Sequence, residues 1–221
     1  IYKKFSPGPI TYIVKKKNNS KIKPLACANL KTVGIRFPRN KIIRKLLKKL
    51  EFPLAMPSAN KSSGVSPVKP MDVSEEFNNK IKVIDGGISS IGIESTVLNL
   101  VGKICILRPG VITPKQIENV LKIKLNILTK QIVVKSPGSL KKHYSPGIPI
   151  YLNKNKCPDK YAFITFGKKY PVTRNSFNLS RKSNLNEAAR NLYKFFRNIK
   201  KKGYKKIYVT KVPNTGIGIA I

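Results

Sequence analysis

Pro57-Ser58-Ala59-Asn60, with Ser66-Pro67 close behind, is the first of four short polar clusters that stand between apolar runs. The other three are Gly92-Ile93-Glu94-Ser95-Thr96-Val97, Leu107-Arg108-Pro109-Gly110, and Ser136-Pro137-Gly138 leading to His143-Tyr144-Ser145-Pro146. Each sets small hydroxyls, an amide or one arginine beside Pro or Gly. Such side chains hold a polar ligand by hydrogen bonds and are poor at moving protons by themselves. The clusters therefore predict a site for a phosphorylated or carboxylated small molecule.

Strand-like runs surround the first three clusters and predict a first unit rich in β-structure. These runs are Ile10–Val14, Thr32–Phe37, Leu54–Met56, Ile81–Ile84, Ser95–Leu100 and Lys103–Leu107. Two helices are predicted with them. Asn40 can cap a helix over Lys41–Leu50, whose apolar residues fall on one face. Thr113-Pro114-Lys115-Gln116 is a capping box that opens a second helix to about Leu121.

A second unit is predicted after the segment Ser136–Pro149, which reads as an ordered linker because it is rich in proline and glycine. Strand-like runs then flank a helix over about Leu185–Ile199, and these runs are Ile150–Leu152, Tyr161–Phe166 and Lys206–Thr210. Strand, helix and strand in this order predict a small α/β domain with a parallel pair of strands.

Length and cysteine content set the broad class of the protein. A chain of 221 residues with 41% hydrophobic content fits one large domain or two smaller ones. No apolar run approaches the roughly 18 residues of a membrane span, so no membrane partner is expected. Cys27, Cys105 and Cys157 are far apart and form no CxxC pair, which argues against metal or disulfide roles and favours a cytoplasmic location. Cys105 is expected to be a buried thiol.

The charge of the chain is extreme, with 45 Lys and Arg against 9 Asp and Glu and a net charge of +36. Such a surface attracts polyanions, and RNA is the first candidate. The alternative is a compositional bias, because the chain is rich in Lys, Ile and Asn throughout, as proteins encoded by AT-rich genomes are. Charge alone leaves both interpretations open.

Four positions are the first candidates for ligand contacts. Ser58 and Asn60 follow an apolar run, where short polar side chains suit ribose, phosphate or carboxylate, although a simple turn would use the same residues. Arg108 ends a strand and precedes a helix, where a guanidinium can bind phosphate in a bidentate manner. A surface ion pair is the alternative for Arg108. Arg36 also ends a strand and would suit a carboxylate.

The phosphate-binding motifs that are missing, the single histidine and the few acidic residues limit the catalytic mechanisms open to the chain. The sequence has no GxxxxGK[ST] or GxGxxG motif, and its single histidine excludes a His-based metal cluster. His143 is either a catalytic base or a packing residue. The acids are scattered, and the adjacent Glu75 and Glu76 are expected to lie on a solvated helix face. Catalysis by positioning and electrostatics is therefore favoured over acid–base or covalent mechanisms.

Taken together, the motifs resemble the YrdC-like family, in the two-domain form known as the L-threonylcarbamoyladenylate synthases. The resemblance rests on their order and spacing, and the motifs are Ser6-Pro7-Gly8-Pro9-Ile10-Thr11, Val33-Gly34-Ile35-Arg36, Pro57-Ser58-Ala59-Asn60, Asp85-Gly86-Gly87, Glu94-Ser95-Thr96-Val97 and Leu107-Arg108-Pro109-Gly110. It implies an α/β fold in three parts. A YrdC-like twisted mixed sheet with flanking helices would occupy residues 1–125, an interdomain linker 126–149, and a small Rossmann-like domain 150–221.

The resemblance also implies an activity: L-threonine, bicarbonate and ATP would be joined into threonylcarbamoyl-AMP, with release of diphosphate. The product would serve the N6-threonylcarbamoyl modification of adenosine in tRNA, with partner proteins that modify tRNA. Threonine would be held by Arg36, the loop backbone near Met56, and Ser95. The nucleotide would be held by Thr32, Ser58, Asn60, Ser66 and Arg108, with Mg²⁺ on its phosphates. His143 and Tyr144 would belong to a lid, and Arg108 would stabilise the departing diphosphate.

The chain departs from the family pattern at both ends. Family members carry a first strand, a helix and a basic motif before the Pro-Gly-Pro motif, and they continue beyond the position of Ile221. We expect residues 1–221 alone to have little or no synthase activity. Two other classes stay open: a carbamoyl-transfer enzyme, which would need zinc-finger cysteines, and a non-catalytic RNA-binding module.

Overall fold

The computed structural model describes residues 1–128 and 144–221, and these residues form two compact units. The first unit contains residues 1–57 and 94–128, and the second contains residues 58–93 and 144–219. The second unit thus joins two stretches that lie far apart in the sequence. The domain boundaries expected at residues 125 and 149 stay a prediction.

The first unit is built on a five-stranded mixed sheet with the strand order β2-β1-β3-β4-β5. Its strands are β1 (Ile10–Lys15), β2 (Thr32–Ile35), β3 (Thr96–Asn99), β4 (Cys105–Arg108) and β5 (Asn126–Ile127). The pairs β1–β3 and β4–β5 are parallel, whereas β1–β2 and β3–β4 are antiparallel. The central strand is β3, and it pairs with β1 although about 80 residues separate the two strands in the sequence.

Three helices accompany this part of the sequence: α1 (Tyr2–Phe5), α2 (Lys41–Leu47) and α4 (Pro114–Leu121). The side chain of Asn40 accepts hydrogen bonds from the N–H groups of Ile42 and Ile43, which confirms the predicted cap of α2. Thr113 and Gln116 form the predicted capping box of α4. Helix α4 anchors the core through Ile117, which is fully buried with Ile10, Leu98 and Ile106.

The second unit contains a four-stranded parallel sheet with the order β6-β9-β7-β8. Its elements are α3 (Pro70–Glu76), β6 (Ile150–Tyr151), β7 (Ala162–Thr165), β8 (Ser176–Asn178), α5 (Leu185–Lys201) and β9 (Ile207–Val209). The parallel pairing β6–β9–β7 confirms the predicted small α/β domain. Helix α5 buries one face against the sheet, and Val65 and Val68 from the earlier stretch join the same core.

Two predicted strands are wrong. Leu54–Met56 and Ile81–Ile84 are not in strands. Leu54, Met56, Ile81 and Ile84 are all exposed, so these apolar runs bury little surface and have no sheet to join. The short elements α1, β5 and β8 were not predicted, and the helix expected at Glu75 and Glu76 is α3. No helix in the described residues is long and apolar enough to cross a membrane.

Candidate functional site

Arg108 and Ser95 form the centre of a polar cluster in the first unit. The antiparallel pairing of β3 and β4 sets Val97 opposite Arg108, which brings the arginine to the start of β3. Arg108 Nε donates to the main-chain oxygen of Ser95, and Nη2 donates to its hydroxyl oxygen, each at 3.0 Å. Ser95 is only 4% exposed. The arginine thus fixes both the backbone and the side chain of a buried serine.

Thr11 extends this cluster from the neighbouring strand. Because β1 and β3 run parallel, with Thr11 opposite Val97, the threonine lies next to the entry of β3. Thr11 Oγ1 and Ser95 Oγ are 3.0 Å apart. The Ser95 hydroxyl already accepts from Arg108, so its own proton is available to Thr11 or to an incoming acceptor.

The charges around Ser95 are two arginines and one carboxylate. Glu94 Oε2 lies 3.9 Å from Arg108 Nη2. Partial burial of its guanidinium lowers the pKa of Arg36, the Glu94 carboxylate raises it, and the positive charge of Arg108 lowers it. Arg36 counts as exposed as a whole, and an arginine remains charged at physiological pH even when its pKa falls modestly. The cluster of Arg36, Arg108 and Glu94 therefore carries one net positive charge, which suits an anionic ligand.

Gly110 locks the third cluster against the second. An ideal Cβ at Gly110 would lie 2.4 Å from the Thr96 nitrogen and 2.6 Å from the Glu94 oxygen, so only glycine fits there. Thr96 Oγ1 also donates to the main-chain oxygen of Ile112 at 2.7 Å. The segments 94–97 and 107–112 therefore form one rigid assembly that positions Ser95 and Arg108.

The first polar cluster continues into a hydrogen-bonded loop of the second unit. Asn60 Nδ2 donates to the main-chain oxygens of Lys61 and Gly64 at 2.7 and 3.2 Å. Asn60 Oδ1 is buried and accepts no hydrogen bond from the described residues. Ser58 is exposed and Ser66 is 9% exposed. We name residues 58–66 the PSAN loop.

Arg197 of α5 holds the PSAN loop, and sequence reasoning missed it. Its Nη2 donates to the Val65 carbonyl at 2.6 Å and its Nε to the Ser66 carbonyl at 3.2 Å. It also pairs with Glu76, which is 3.3 Å away. Glu76 was predicted on a solvated face, and this is wrong because its side chain is only 21% exposed and bonded to Arg197. No local motif marks Arg197, since these partners lie more than a hundred residues away in sequence.

The other predicted site residues are placed as follows. Thr32 begins β2 and is half-buried, and Met56 is 63% exposed outside any helix or strand. Tyr144 stacks on Tyr193 with ring centroids 5.8 Å apart. His143, with Ser136, Pro137 and Gly138, lies outside the described residues. The ligand roles of all these residues stay predictions.

The three cysteines of the chain differ in burial. Cys27 and Cys105 are buried free thiols, as was expected for Cys105, and Cys157 is also free. Burial and the charge of Asp159 raise the pKa of Cys157 to about 11. In residues 1–128 and 144–221, no group of three or more His, Cys, Asp or Glu could hold a metal ion.

Two family models together match nearly the whole chain. The model described as "Telomere recombination", which covers Sua5, YciO and YrdC proteins, matches residues 1–110. The model described as "Threonylcarbamoyl-AMP synthase, C-terminal domain" matches residues 112–221. The division lies between α4 and the strand that precedes it.

Two threonylcarbamoyl-AMP synthases are similar to this chain over nearly its whole length. A threonylcarbamoyl-AMP synthase of Pyrococcus abyssi is 33% identical over 99% of this chain and 69% of its own length. The enzyme of the same name from Bacillus subtilis is 30% identical over 100% of this chain and 69% of its own length.

The crystal structure of Pyrococcus abyssi Sua5 complexed with L-threonine is similar to this one, with a TM-score of 0.86 at 30% identity. The match covers 99% of this chain and 69% of that structure. A second structure of the same protein, with a histidine and a tyrosine replaced by alanine, has a TM-score of 0.84 at 28% identity.

Proposed function

Because the chain belongs to the threonylcarbamoyl-AMP synthase family, we propose that it joins L-threonine, bicarbonate and ATP into threonylcarbamoyl-AMP and releases diphosphate. The product would supply the N6-threonylcarbamoyl group of adenosine in tRNA. The observation that carries the proposal is the polar cluster of Arg36, Glu94, Ser95 and Arg108, whose two arginines and one carboxylate leave a net positive charge that suits anionic substrates. The match of residues 112–221 to the C-terminal domain favours this activity over the carbamoyl-transfer alternative.

Threonine is proposed to bind beside Ser95. Its carboxylate would pair with Arg36, and Ser95 would contact the amino acid through a hydroxyl that Thr11 and Arg108 already orient. The backbone near Met56 is the third proposed contact. Fixing the amino acid in this way aligns its amino group for carbamate formation, a step that needs proximity more than strong acid or base catalysis.

The next proposed step is adenylation of the threonine carbamate. A carbamate oxygen attacks the α-phosphorus of ATP, the bond from that phosphorus to the bridging oxygen breaks, and diphosphate leaves with the bonding pair. Negative charge builds on the departing phosphate oxygens, so a fixed guanidinium lowers the barrier. We propose Arg108 for this role because its side chain is only 17% exposed and is already immobilised by Ser95. This makes the protein a nucleotidyltransferase.

The nucleotide is proposed to contact Thr32 and Arg108, as well as Ser58, Asn60 and Ser66 of the PSAN loop. Asn60 supports this role because its buried Oδ1 is not paired within the described residues and can accept from a ligand. The described residues offer no cage of metal ligands, so we propose that Mg²⁺ enters as the counterion of the ATP phosphates. His143 and Tyr144 are proposed to belong to a lid.

The cellular setting is also a proposal. The free thiols are consistent with a reducing cytoplasm. Transfer of the product to tRNA requires partner proteins, and a contact with RNA through the basic surface stays a prediction.

Release of diphosphate from ATP tests the function directly. With the full natural chain, we expect release that depends on both threonine and bicarbonate, and threonylcarbamoyl-AMP as the product. Omission of either substrate should abolish release. Release without threonine, or no release with all three substrates, would contradict the proposal. Salt-sensitive RNA binding without turnover would favour the RNA-binding module instead.

A further inference from the structure

Arg197 bonds to the main chain of the PSAN loop, not to its side chains. The carbonyl groups of Val65 and Ser66 both accept from its guanidinium, at 2.6 and 3.2 Å. Main-chain carbonyls are present whatever the side chain, so these bonds fix the path of the loop through its backbone.

Two carboxylates complete the arrangement around Arg197. Glu76 Oε2 accepts from both Nη1 and Nη2 at 3.3 Å, while its Oε1 accepts from the Lys61 N–H at 3.1 Å. Asp72 Oδ2 lies 4.0 Å from Arg197 Nε and accepts from the N–H groups of Val68 and Lys69. Each acid therefore connects Arg197 to the main chain at one end of the segment 61–69.

We call Arg197 with Asp72 and Glu76 the brace, because these ion pairs are more buried than ordinary surface pairs. The exposed fractions are 19% for Arg197, 10% for Asp72 and 21% for Glu76. Removing one partner of such a partly buried pair leaves a poorly compensated charge, which costs more than losing an exposed pair. Arginine presents several N–H groups in one plane, so lysine can supply its charge but cannot bond to all three acceptors, which are the Val65 carbonyl, the Ser66 carbonyl and Glu76 Oε2.

We infer that Arg197 is a positioning residue for nucleotide binding. It belongs to helix α5, in the range of the C-terminal family model, whereas the loop it holds belongs to the range of the first family model. The C-terminal part of the chain thus shapes the loop that carries Ser58, Asn60 and Ser66. This inference rests on the proposed function, because it takes the PSAN loop as a nucleotide contact.

A matched control lies one helical turn away. Lys201 pairs with Glu75 at 2.9 Å, but these side chains are 73% and 50% exposed and the pair makes no bond to the PSAN loop. The variants R197K, R197Q and K201Q of the full chain therefore separate loss of the brace from loss of a positive charge on α5.

We expect R197Q and R197K to raise the KM for ATP on the order of tenfold, with the KM for threonine changed less than twofold. Hydrogen exchange of the amides 61–69 should speed up in both variants, and K201Q should match the unmodified protein in every measurement. R197K keeps the positive charge, so faster hydrogen exchange in this variant would show that the loop depends on the geometry of the guanidinium group.

The inference is overturned if R197K and R197Q keep the KM for ATP, or if the KM values for ATP and threonine rise together with a lower melting temperature. Either result would give Arg197 a merely structural role. Failure of the proposed function shows differently, as absence of threonine-dependent diphosphate release in the unmodified chain. In that case, equilibrium binding of ATP to the unmodified chain and R197K decides the inference: equal affinities, or no binding, overturn it, and weaker binding by R197K supports it.

Discussion

The guanidinium of Arg108 bonds to both oxygen atoms of Ser95, donating from Nε to the carbonyl and from Nη2 to the hydroxyl at 3.0 Å each. A single side chain therefore sets the position of the residue that immediately precedes β3. Ser95 is only 4% exposed, so these two bonds are largely shielded from solvent.

Replacing Arg108 should damage catalysis more than binding. R108K keeps a charge but cannot make both bonds to Ser95, and we expect kcat to fall on the order of 100-fold, with a larger loss in R108Q. Steady-state kinetics of diphosphate release checks this. R44Q, which changes an exposed arginine of α2, is the control and should keep its activity. An R108Q variant with an unchanged kcat would exclude Arg108 from catalysis.

Removing the Ser95 hydroxyl should act on threonine. S95A deletes the group that stands between Arg108 and Thr11, and we expect the KM for threonine to rise about tenfold, as the loss of a hydrogen bond to a charged group implies. The KM for ATP should stay within twofold of its original value. A double-mutant cycle with T11V measures the coupling between the two hydroxyls. Equal changes in both KM values would argue against the threonine assignment.

Gly87 and Gly92 form a matched pair for a test of stability. Both have positive φ, at 81° and 78°, but a Cβ at Gly87 would meet nothing within 4 Å. A Cβ at Gly92 would lie 2.4 Å from the Arg190 Cα. We expect G87A to cost about 1–2 kcal/mol of unfolding free energy from backbone strain alone. G92A should cost clearly more, because helix α5 must shift. Chemical denaturation of both variants checks this, and equal losses would contradict the close packing.

Cys157 should react slowly with alkylating reagents at neutral pH. Its pKa of about 11 keeps the thiol protonated, and only the thiolate is nucleophilic. We expect the rate of modification by iodoacetamide to rise with pH and to reach half of its maximum near pH 11, where half of the thiol is ionised. C157S identifies the contribution of this site.

The charge of Asp159 can be tested separately. This carboxylate disfavours the thiolate, so D159N should move the midpoint of the Cys157 reaction to lower pH. A midpoint that does not move would leave burial as the cause of the raised pKa.

The parts of the fold that could be predicted have local causes. The caps at Asn40 and Thr113 depend on residues within one turn, and both helices begin where the sequence indicated. The end of α2 was less predictable: it stops at Leu47 and not at Leu50, and much of its apolar face stays exposed. Packing decides such ends, and a single sequence does not show it.

The parts that could not be predicted depend on distant partners. An apolar run becomes a strand only when a neighbour can pair with it, and Leu54–Met56 has none in the described residues. Strand β8 carries only one apolar residue, Phe177, between Ser176 and Asn178, so no alternation marks it. The start of helix α3 was marked in the sequence, because Pro70 occupies its first turn and Asp72 caps its N-terminal end. The motifs identified Ser95 and Arg108, but nothing near Arg197 pointed to Val65 or Ser66.

The core of the second unit has a consequence for dissecting the protein. Val65 and Val68 are 6% and 8% exposed and pack with Leu192 and Phe196 of α5. A fragment that starts at residue 112, where the second family model begins, would lose these valines and open a hole beside the helix. The same cut would remove Asp72 and Glu76, the two acids that pair with Arg197. A C-terminal fragment that folds by itself would therefore have to include residues 58–93. The boundary between the two family models is thus not a position at which this polypeptide can be divided.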